Sequence, residues 1–296
     1  MKPFVILTAT YNHPNELKAL FASLQEQTDK EFTWIIVDDG SKEDTTEAID
    51  VISKQATIDV FPVHQNNGGK SRAINNGLDQ LTRDVKFFVI VDDDEKLKPN
   101  AIEIIKQYYE AYKKTNCGVI HFNRLNEKGK MIARPVIGDD FIMSYQRFKS
   151  EGRFADGYLG YFTDKLGKTR FTVYDEEKYV GPSVLFMQVT DHSDLLWAKE
   201  ALGETEYLAG GITKQGRKLR IKNPRGMIDY CKLMQKNGAS WKTKIAYSVQ
   251  GYAYYQFIDK PKRNRAILKG LLPFRLSGKI LGQYWKSKFL LDAGRK

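Results

Sequence analysis

Over the first 120 residues, short apolar runs alternate with stretches of helical spacing, and few folds accommodate that alternation. The β-branched and aromatic runs are residues 4–9, 32–37, 58–63, 87–91 and 118–122. Between them, residues 14–27, 42–54, 70–81 and 99–113 carry apolar side chains at helical spacing. Strand–helix–strand repetition through short loops predicts a parallel sheet covered on both faces. Pro14 and Pro99 sit where first helical turns are expected, a position that needs no N–H. Ser41, with Asp44 three residues on, is placed to cap the second helix.

In such a sheet, ligands bind beyond the carboxyl ends of the strands. This chain puts a polar cluster at four of those ends: Thr10-Tyr11-Asn12, Asp38-Asp39-Gly40-Ser41, Asn66-Asn67-Gly68-Gly69-Lys70 and Asp92-Asp93-Asp94. Their convergence on one crevice says more than any one of them. Asp92-Asp93-Asp94 follows the apolar run FFVIV, and an extended chain would turn Asp92 and Asp94 to one side and Asp93 to the other. Three adjacent carboxylates repel one another unless a cation compensates. A hard divalent ion such as Mg²⁺ or Mn²⁺, which shares oxygen ligands with phosphates, suits them; a solvated acidic turn is the plainer reading. Asp39 can accept from a ribose or a base edge, and Gly40 admits close approach of a ligand. Gly68-Gly69-Lys70 precedes a helix, where backbone N–H groups attract phosphate. Neither a GxxxxGK[ST] loop nor a GxGxxG after the first strand occurs, which counts against P-loop and nicotinamide or flavin enzymes. His13, His64, His121 and His192 show no metal-ligand spacing and read as structural or surface residues, with His192 in DHSD the one plausible extra ligand.

Composition sets the outer bounds. The 296 residues make one large domain or two modest ones, and 12% aromatics is too much apolar bulk for a disordered chain. No apolar run approaches the ~18–20 residues of a membrane span, and the N-terminal MKPFVIL is too brief for a secretory signal. Two cysteines, Cys117 and Cys231, support neither a disulfide framework nor a cysteine zinc site, so a reduced, cytoplasmic protein is expected. The net charge of +11 is unevenly spread: residues 260–296 hold eleven Lys/Arg against Asp292 alone, and the remainder is nearly balanced. That pattern fits a body that does chemistry and a tail that touches something anionic. In the tail, Leu276, Ile280, Leu281, Tyr284, Trp285 and Phe289 recur at helical spacing, interleaved with Arg275, Lys279, Lys286 and Lys288. A basic loop, expected to be mobile, is read at 214–225.

Together the stretches FVILTATYN, WIIVDDGSKEDT, NNGGKSRAINNGL and FFVIVDDDE resemble family 2 of the inverting nucleotide-sugar glycosyltransferases. The resemblance implies a GT-A fold: α/β, with a Rossmann-like, mostly parallel central sheet flanked by helices. It implies a nucleotide-sugar-binding half over 1–122, a mixed acceptor-side half over 123–259 and a basic amphipathic helical tail over 260–296. Thr10, Tyr11 and Asn12 would line the nucleotide pocket, and Asp39 would bond the base. Gly69 and Lys70 would meet the phosphates, Asp92 would hold the ribose or the metal shell, Asp93 would belong to the donor-binding residues, and Asp94 would ligate the divalent metal, Mn²⁺ or Mg²⁺. Where many relatives carry Arg, this chain has Ile74. It is similar instead to a bacterial polysaccharide-type subgroup with Gly-Gly-Lys, in which Lys70, helped by Arg72, would take over the cationic contact.

The acceptor half matches more loosely. RFTVYDEEKYVGPS is similar to the subgroup's Gly-Glu-Lys-Phe stretch and places Glu177 as catalytic base, with Glu176, Asp175 and Asp156 as competitors. The implied reaction is one displacement with inversion, moving one sugar, with uridine as the commonest nucleotide, to a glycan or lipid-linked acceptor in surface polysaccharide synthesis. No QxxRW-type sequence suggests processive synthesis. The tail over 263–296 fits either an anionic membrane surface, making the enzyme peripheral, or packing on protein, a homodimer included. Two other classes compete. A sugar nucleotidyltransferase would carry a glycine-rich basic loop where TATYNHPNE stands, and a polyanion-binding protein led by the tail would leave the three aspartates unexplained. No specific nucleic-acid partner is expected.

Overall fold

The computed structural model describes residues 1–126, 128–131, 138–205, 218–236, 238–259 and 263–293, with side chains to residue 287 in the last helix. Its elements are β1 (Phe4–Thr10), α1 (Pro14–Gln25), β2 (Thr33–Asp38), α2 (Glu43–Gln55), β3 (Asp59–His64), α3 (Lys70–Asp79), β4 (Phe87–Ile90), β5 (Glu95–Leu97), α4 (Ala101–Tyr112) and β6 (Cys117–Asn126). There follow β7 (Phe141–Ile142), α5 (Tyr145–Ser150), β8 (Gly157–Phe162), α6 (Thr163–Leu166), α7 (Ser183–Val189), β9 (Asp194–Thr205), α8 (Pro224–Leu233), α9 (Trp241–Tyr255) and α10 (Arg275–Ala293). Every strand and helix expected before residue 122 forms, within a few residues of its expected ends. The chain divides into two compact units, Met1–Met143 with Arg153–Arg170 and His192–Leu208, and Ser144–Gly152 with Phe171–Asp191 and Ala209–Lys296. This division does not fall at 122, because β8 and β9 complete the sheet that the first half begins.

The first unit is built on that sheet, in the order β3-β2-β1-β4-β8-β6-β9-β5, with β7 also paired to β9. β1 pairs in parallel with β2 and β4, β2 with β3, and β6 with β9. The departures come from later strands: β8 runs antiparallel between β4 and β6, and β5 and β7 run antiparallel to β9. β2, flanked by β3 and β1, is buried along its whole length, as a strand covered on both faces must be. Phe32, Trp34 and Ile36 pack with Leu17, Leu20 and Leu24 of α1 and Ile49 and Ile52 of α2, each side chain contributing about 1.5–3 kcal/mol. The inserted β8 is held by aromatic pairs as well as its ladder: Phe88 stacks on Tyr161 at 4.9 Å, and Phe87 meets Phe162 edge-on at 4.9 Å. Register levels the strand tips, with Thr10 opposite Asp38 and Asp38 opposite His64.

Two helix starts differ from expectation. Pro14 does occupy the first turn of α1, but Pro99 precedes α4, whose cap position is Asn100. Lys42 holds the cap position of α2, because the Ser41 hydroxyl is taken by the Asn12 N–H at 2.9 Å.

The second unit is helical. α8, α9 and α10 enclose Ile228, Cys231, Ala253, Tyr254, Ile258 and Trp285. The expected basic loop is partly helical: 218–222 form a helical turn and Pro224 opens α8, while 214–217 lie outside the described residues. In the tail, a 3₁₀ turn over Arg265–Leu268 precedes Pro273, and α10 packs along α9. Trp285 is buried against Tyr254, rings 5.1 Å apart, so one face of the tail packs on protein. The side chains of Lys288 and Phe289 lie outside those described. No helix among the described residues is long and apolar enough to cross a membrane.

His121 of β6 is buried against Trp197, and its Nδ1 has no hydrogen-bond partner among the described residues. Burial, with Arg124 nearby, lowers its pKa from 6.5 to about 4, despite the opposing pull of Asp156. Between those values the unfolded chain binds the extra proton and the folded chain does not, so stability falls as pH falls through that window. We expect His121→Gln to remove up to about 3 kcal/mol of the acid-side loss relative to wild type. Urea unfolding of both proteins from pH 7 to pH 4 checks this, and parallel pH profiles would show that His121 does not contribute.

Candidate active site

The four strand-end clusters are joined by direct hydrogen bonds. The Thr10 hydroxyl, buried at the tip of β1, donates to Asp93 Oδ2 at 2.7 Å. Asn12 takes a left-handed backbone at φ 56°, which Asn tolerates better than most residues. Its Oδ1 accepts from the Lys42 N–H at 2.8 Å, and its own N–H reaches Ser41, so the loop after β1 is tied to the loop after β2. Tyr11, between Thr10 and Asn12 in the chain, has 46% of its surface exposed.

Asp39 forms the second joint. Its Oδ1 accepts from Gln65 Nε2 at 2.7 Å and the Gly68 N–H at 2.8 Å; its Oδ2 accepts from Asn67 Nδ2 at 3.2 Å and the Gly69 N–H at 2.8 Å. Gly40 beside it has φ 73°, and a Cβ there would lie 2.6 Å from the Asn67 backbone nitrogen. The close approach that Gly40 permits is therefore by the 65–69 loop of the chain itself. Gly69, at φ 92°, holds the cap position of α3 and starts that helix at Lys70.

The third joint fixes the acidic turn. Lys70 Nζ lies 2.6 Å from Asp92 Oδ1. Burial raises the Asp92 carboxyl's pKa, but Lys70 and Arg124 outweigh it and hold the group below its ordinary value. β4 ends at Ile90, and a turn rather than an extended strand separates the aspartates: Asp93 faces Thr10 and His13, while Asp92, Asp94 and Glu95 bring carboxylate oxygens within 4.8 Å of one another. Glu95 is buried, accepts the Asp92 N–H at 3.0 Å and pairs with the Arg124 guanidinium, which also reaches Asp156 at 3.4 Å. Burial opposes Arg124's charge, but Glu95 and Asp156 prevail and hold its pKa above the ordinary value. Asp94 forms no ion pair among the described residues, and burial followed by the charges of Asp92 and Asp93 pushes its pKa up. A carboxylate so placed is stabilised by a divalent cation, so Asp94 with Asp92 fits such an ion, while Glu95 is paired with Arg124, although burial outweighs that pair and raises its pKa to about 8.

Sequence reasoning passed over three members of this site. His13, read as structural or surface, lies 3.1 Å from Asp93 Oδ2, and that hydrogen bond raises its pKa. Glu95 directly follows the three aspartates and was open to notice, but Arg124 lies 29 residues further on, with nothing local to link it. Of the other histidines, His64 lies 3.2 Å from Asp38 at the tip of β3, and His192 is exposed.

In the second unit, Glu177 is buried, and its carboxylate accepts the Arg225 N–H at 2.7 Å and the Gly226 N–H at 2.9 Å. Those N–H groups belong to the first turn of α8 and have no intrahelical partner, so Glu177 caps that helix from 47 residues before it. Burial outweighs these bonds and raises its pKa. Asp175 and Glu176, its neighbours in the turn, are exposed.

The glycosyl transferase family 2 model matches residues 5–170, more than half of the chain, and covers all four clusters. The chain belongs to that family. Among curated relatives, a GalNAc(5)-diNAcBac-PP-undecaprenol beta-1,3-glucosyltransferase of Campylobacter jejuni is 25% identical over 199 residues, 64% of this chain and 60% of that protein. An uncharacterized glycosyltransferase of Nostoc is 28% identical over 36% of this chain and 32% of its own. The chain thus spans a third to three fifths of these relatives. Among solved structures, Staphylococcus aureus TarS 1–349 in complex with UDP-GlcNAc superposes with a TM-score of 0.64, at 15% identity, over 88% of this chain and 74% of that one. The mannosyltransferase PcManGT of Pyrobaculum calidifontis, with GDP-Man and Mn²⁺, gives 0.59 at 14% identity over 99% and 79%. At such identities the likeness is one of fold, and the fold is GT-A.

For this family 2 chain, the cap geometry sets a stability expectation. Glu177→Ala leaves two first-turn N–H groups unpaired and should cost about 2 kcal/mol. The midpoint of urea unfolding reads it directly, and an unchanged midpoint would show that the cap carries no stability.

Proposed function

We propose that this chain is an inverting, metal-dependent glycosyltransferase that moves one sugar per encounter from a nucleotide-sugar, a UDP-sugar by preference, to a glycan or lipid-linked acceptor. The observation that carries this reading is Asp94, a carboxylate at the tip of β4 that forms no ion pair among the described residues, beside the Lys70–Asp92 pair. Tyr11, Thr10 and Asn12 line the nucleotide side of the crevice. Asp39 bonds the base by yielding one of the donors it now holds in the 65–69 loop. The Gly69 N–H and Lys70, with Arg72 on the same helix, meet the diphosphate, as the Gly-Gly-Lys subgroup would, while Asp93 belongs to the donor-binding residues.

Asp94 and Asp92 would hold Mn²⁺ or Mg²⁺, and such an ion would neutralise charge on the departing diphosphate. The chain's own residues orient the donor and remove a proton. Glu177 serves as the base: each of its oxygens has accepted one N–H and keeps a lone pair, and its raised pKa favours taking the acceptor's hydroxyl proton. The hydroxyl oxygen then bonds the anomeric carbon from the face opposite the nucleotide. The carbon–oxygen bond to the diphosphate breaks, and the sugar leaves inverted. The undecaprenol-linked substrate named for the Campylobacter relative supports a lipid-linked acceptor; a place in surface polysaccharide synthesis, on the cytoplasmic side, is the role that the subgroup resemblance implies.

Calorimetric titration with UDP-, GDP- and dTDP-sugars tests the donor site. Binding should require Mn²⁺ or Mg²⁺, and Asp94→Asn should weaken it by at least the ~10–100-fold that losing even an outer partner of a metal costs. Asp94→Asn relieves like-charge repulsion, so its melting temperature should stay level or rise, which separates lost binding from lost folding. A failure of every nucleotide-sugar to bind with either metal would overturn the reading. Glu177→Gln should lower the turnover of transfer by about 10²–10⁴ while donor affinity holds; turnover near wild type would remove Glu177 as base.

A further inference from the structure

The tail helix packs on its own chain with one face and leaves the opposite face bare. Gly278 and Gly282 lie against α9, where a Cβ at Gly278 would come 2.2 Å from Tyr252 Cβ and one at Gly282 would come 3.0 Å from the Ala253 carbonyl oxygen. Trp285 is buried on the same side. On the other side Leu276, Ile280 and Tyr284, four residues apart, are 73%, 60% and 59% exposed. At about 3.6 residues per turn, Arg275, Lys279 and Lys286 fall along one flank of that apolar stripe.

Beside this flank is a cleft of about 140 Å³ lined by Tyr252, Tyr255, Gln256, Arg263, Leu268, Arg275 and Lys279. It holds three cationic side chains and no acid. Arg263 is fixed in place by donating to the carbonyls of Ile258 at 2.8 Å and Gln256 at 2.7 Å, over the Tyr255 ring. Neither Arg275 nor Lys279 forms an ion pair among the described residues. From Arg263 to Leu291 the sequence has seven basic residues and no acidic one.

We propose that this face docks on an anionic phospholipid bilayer, with a headgroup phosphate in the Arg263–Arg275–Lys279 cleft and Leu276, Ile280 and Tyr284 in the headgroup–acyl boundary. An in-plane helix of this kind needs an apolar stripe turned to the acyl chains and basic stems flanking it at headgroup level, and both are present. Charge argues against a second copy of this chain as occupant: a two-fold contact through the stripe would bring the Arg275, Lys279 and Lys286 flanks of both copies together. The docking does not depend on the donor-site reading, since it uses none of the residues of the first unit.

The test is co-sedimentation of the full chain with phosphatidylcholine vesicles, with and without phosphatidylglycerol. Binding should appear only with the anionic lipid and weaken as salt rises. The pairs Leu276→Ser with Ile280→Ser and Arg275→Gln with Lys279→Gln should each lower vesicle affinity about tenfold or more. Because these side chains are exposed, the circular dichroism spectrum, the melting temperature and metal-dependent donor binding should remain those of wild type. Three outcomes would overturn the proposal: no vesicle binding by the wild type, vesicle binding unchanged in either pair, or a dimer in ultracentrifugation that Leu276→Ser with Ile280→Ser dissolves.

Discussion

The Asp39 carboxylate is the joint on which the donor side is built. A carboxylate at the end of a buried strand needs donors, and Asp39 draws all four from one loop, from Gln65, Asn67, Gly68 and Gly69. That loop is thereby pulled onto Gly40, close enough that any side chain at position 40 would strike the backbone of Asn67. Fixing the loop fixes where α3 begins, and the start of α3 sets the reach of Lys70 to Asp92. A hydrogen bond at β2 therefore positions an ion pair at β4, two strands away in the sheet.

The acidic turn then follows from charge balance. Four consecutive carboxylates could not share a turn without compensation, and the chain supplies it unevenly. Asp92 has Lys70, Asp93 has the Thr10 hydroxyl and His13, and Glu95 has Arg124. Asp94 has no ion pair among the described residues, and its burial and the charges of Asp92 and Asp93 disfavour its ionised form more than Lys70 favours it. Such a residue costs stability in the isolated chain, and a cation that binds there recovers it. The geometry of the turn is a better pointer to a metal than the count of aspartates, because it separates the carboxylate without an ion pair among the described residues from those that have one.

The periodic part of the fold was legible in the sequence because each element there carries its own signal: apolar runs for strands, 3–4 spacing for helices, Gly or Pro at their ends. The late antiparallel strand β8 carried none, since GYLGYF is short and glycine-rich and becomes a strand only by stacking Tyr161 on Phe88 and Phe162 on Phe87. The same holds at the level of single side chains. Ser41 looked like a cap from its spacing to Asp44, but its hydroxyl accepts the N–H of Asn12, whose backbone is left-handed, and Lys42 holds the cap position. Glu177 was singled out by the resemblance of its stretch to a family motif, while its two backbone donors, 48 and 49 residues away, left no trace in the sequence. Local chemistry identifies which residues are polar at a strand end; only the tertiary fold decides which donors reach them.

The tail shows the limit of amphipathic reading most clearly. Adjacent residues Tyr284 and Trp285 are both aromatic in the sequence, yet one is exposed and the other buried on α9. What separates them is glycine. Gly278 and Gly282 would each cost α10 up to about 1 kcal/mol relative to alanine, and a helix that needed only to be amphipathic would gain by replacing them. They are required because a Cβ at Gly278 would collide with Tyr252 and one at Gly282 would crowd the backbone of Ala253. The glycine face is therefore the one that folds against α9, and Leu276, Ile280 and Tyr284 on the other side contribute little to that fold. Their apolar surface is left over from folding.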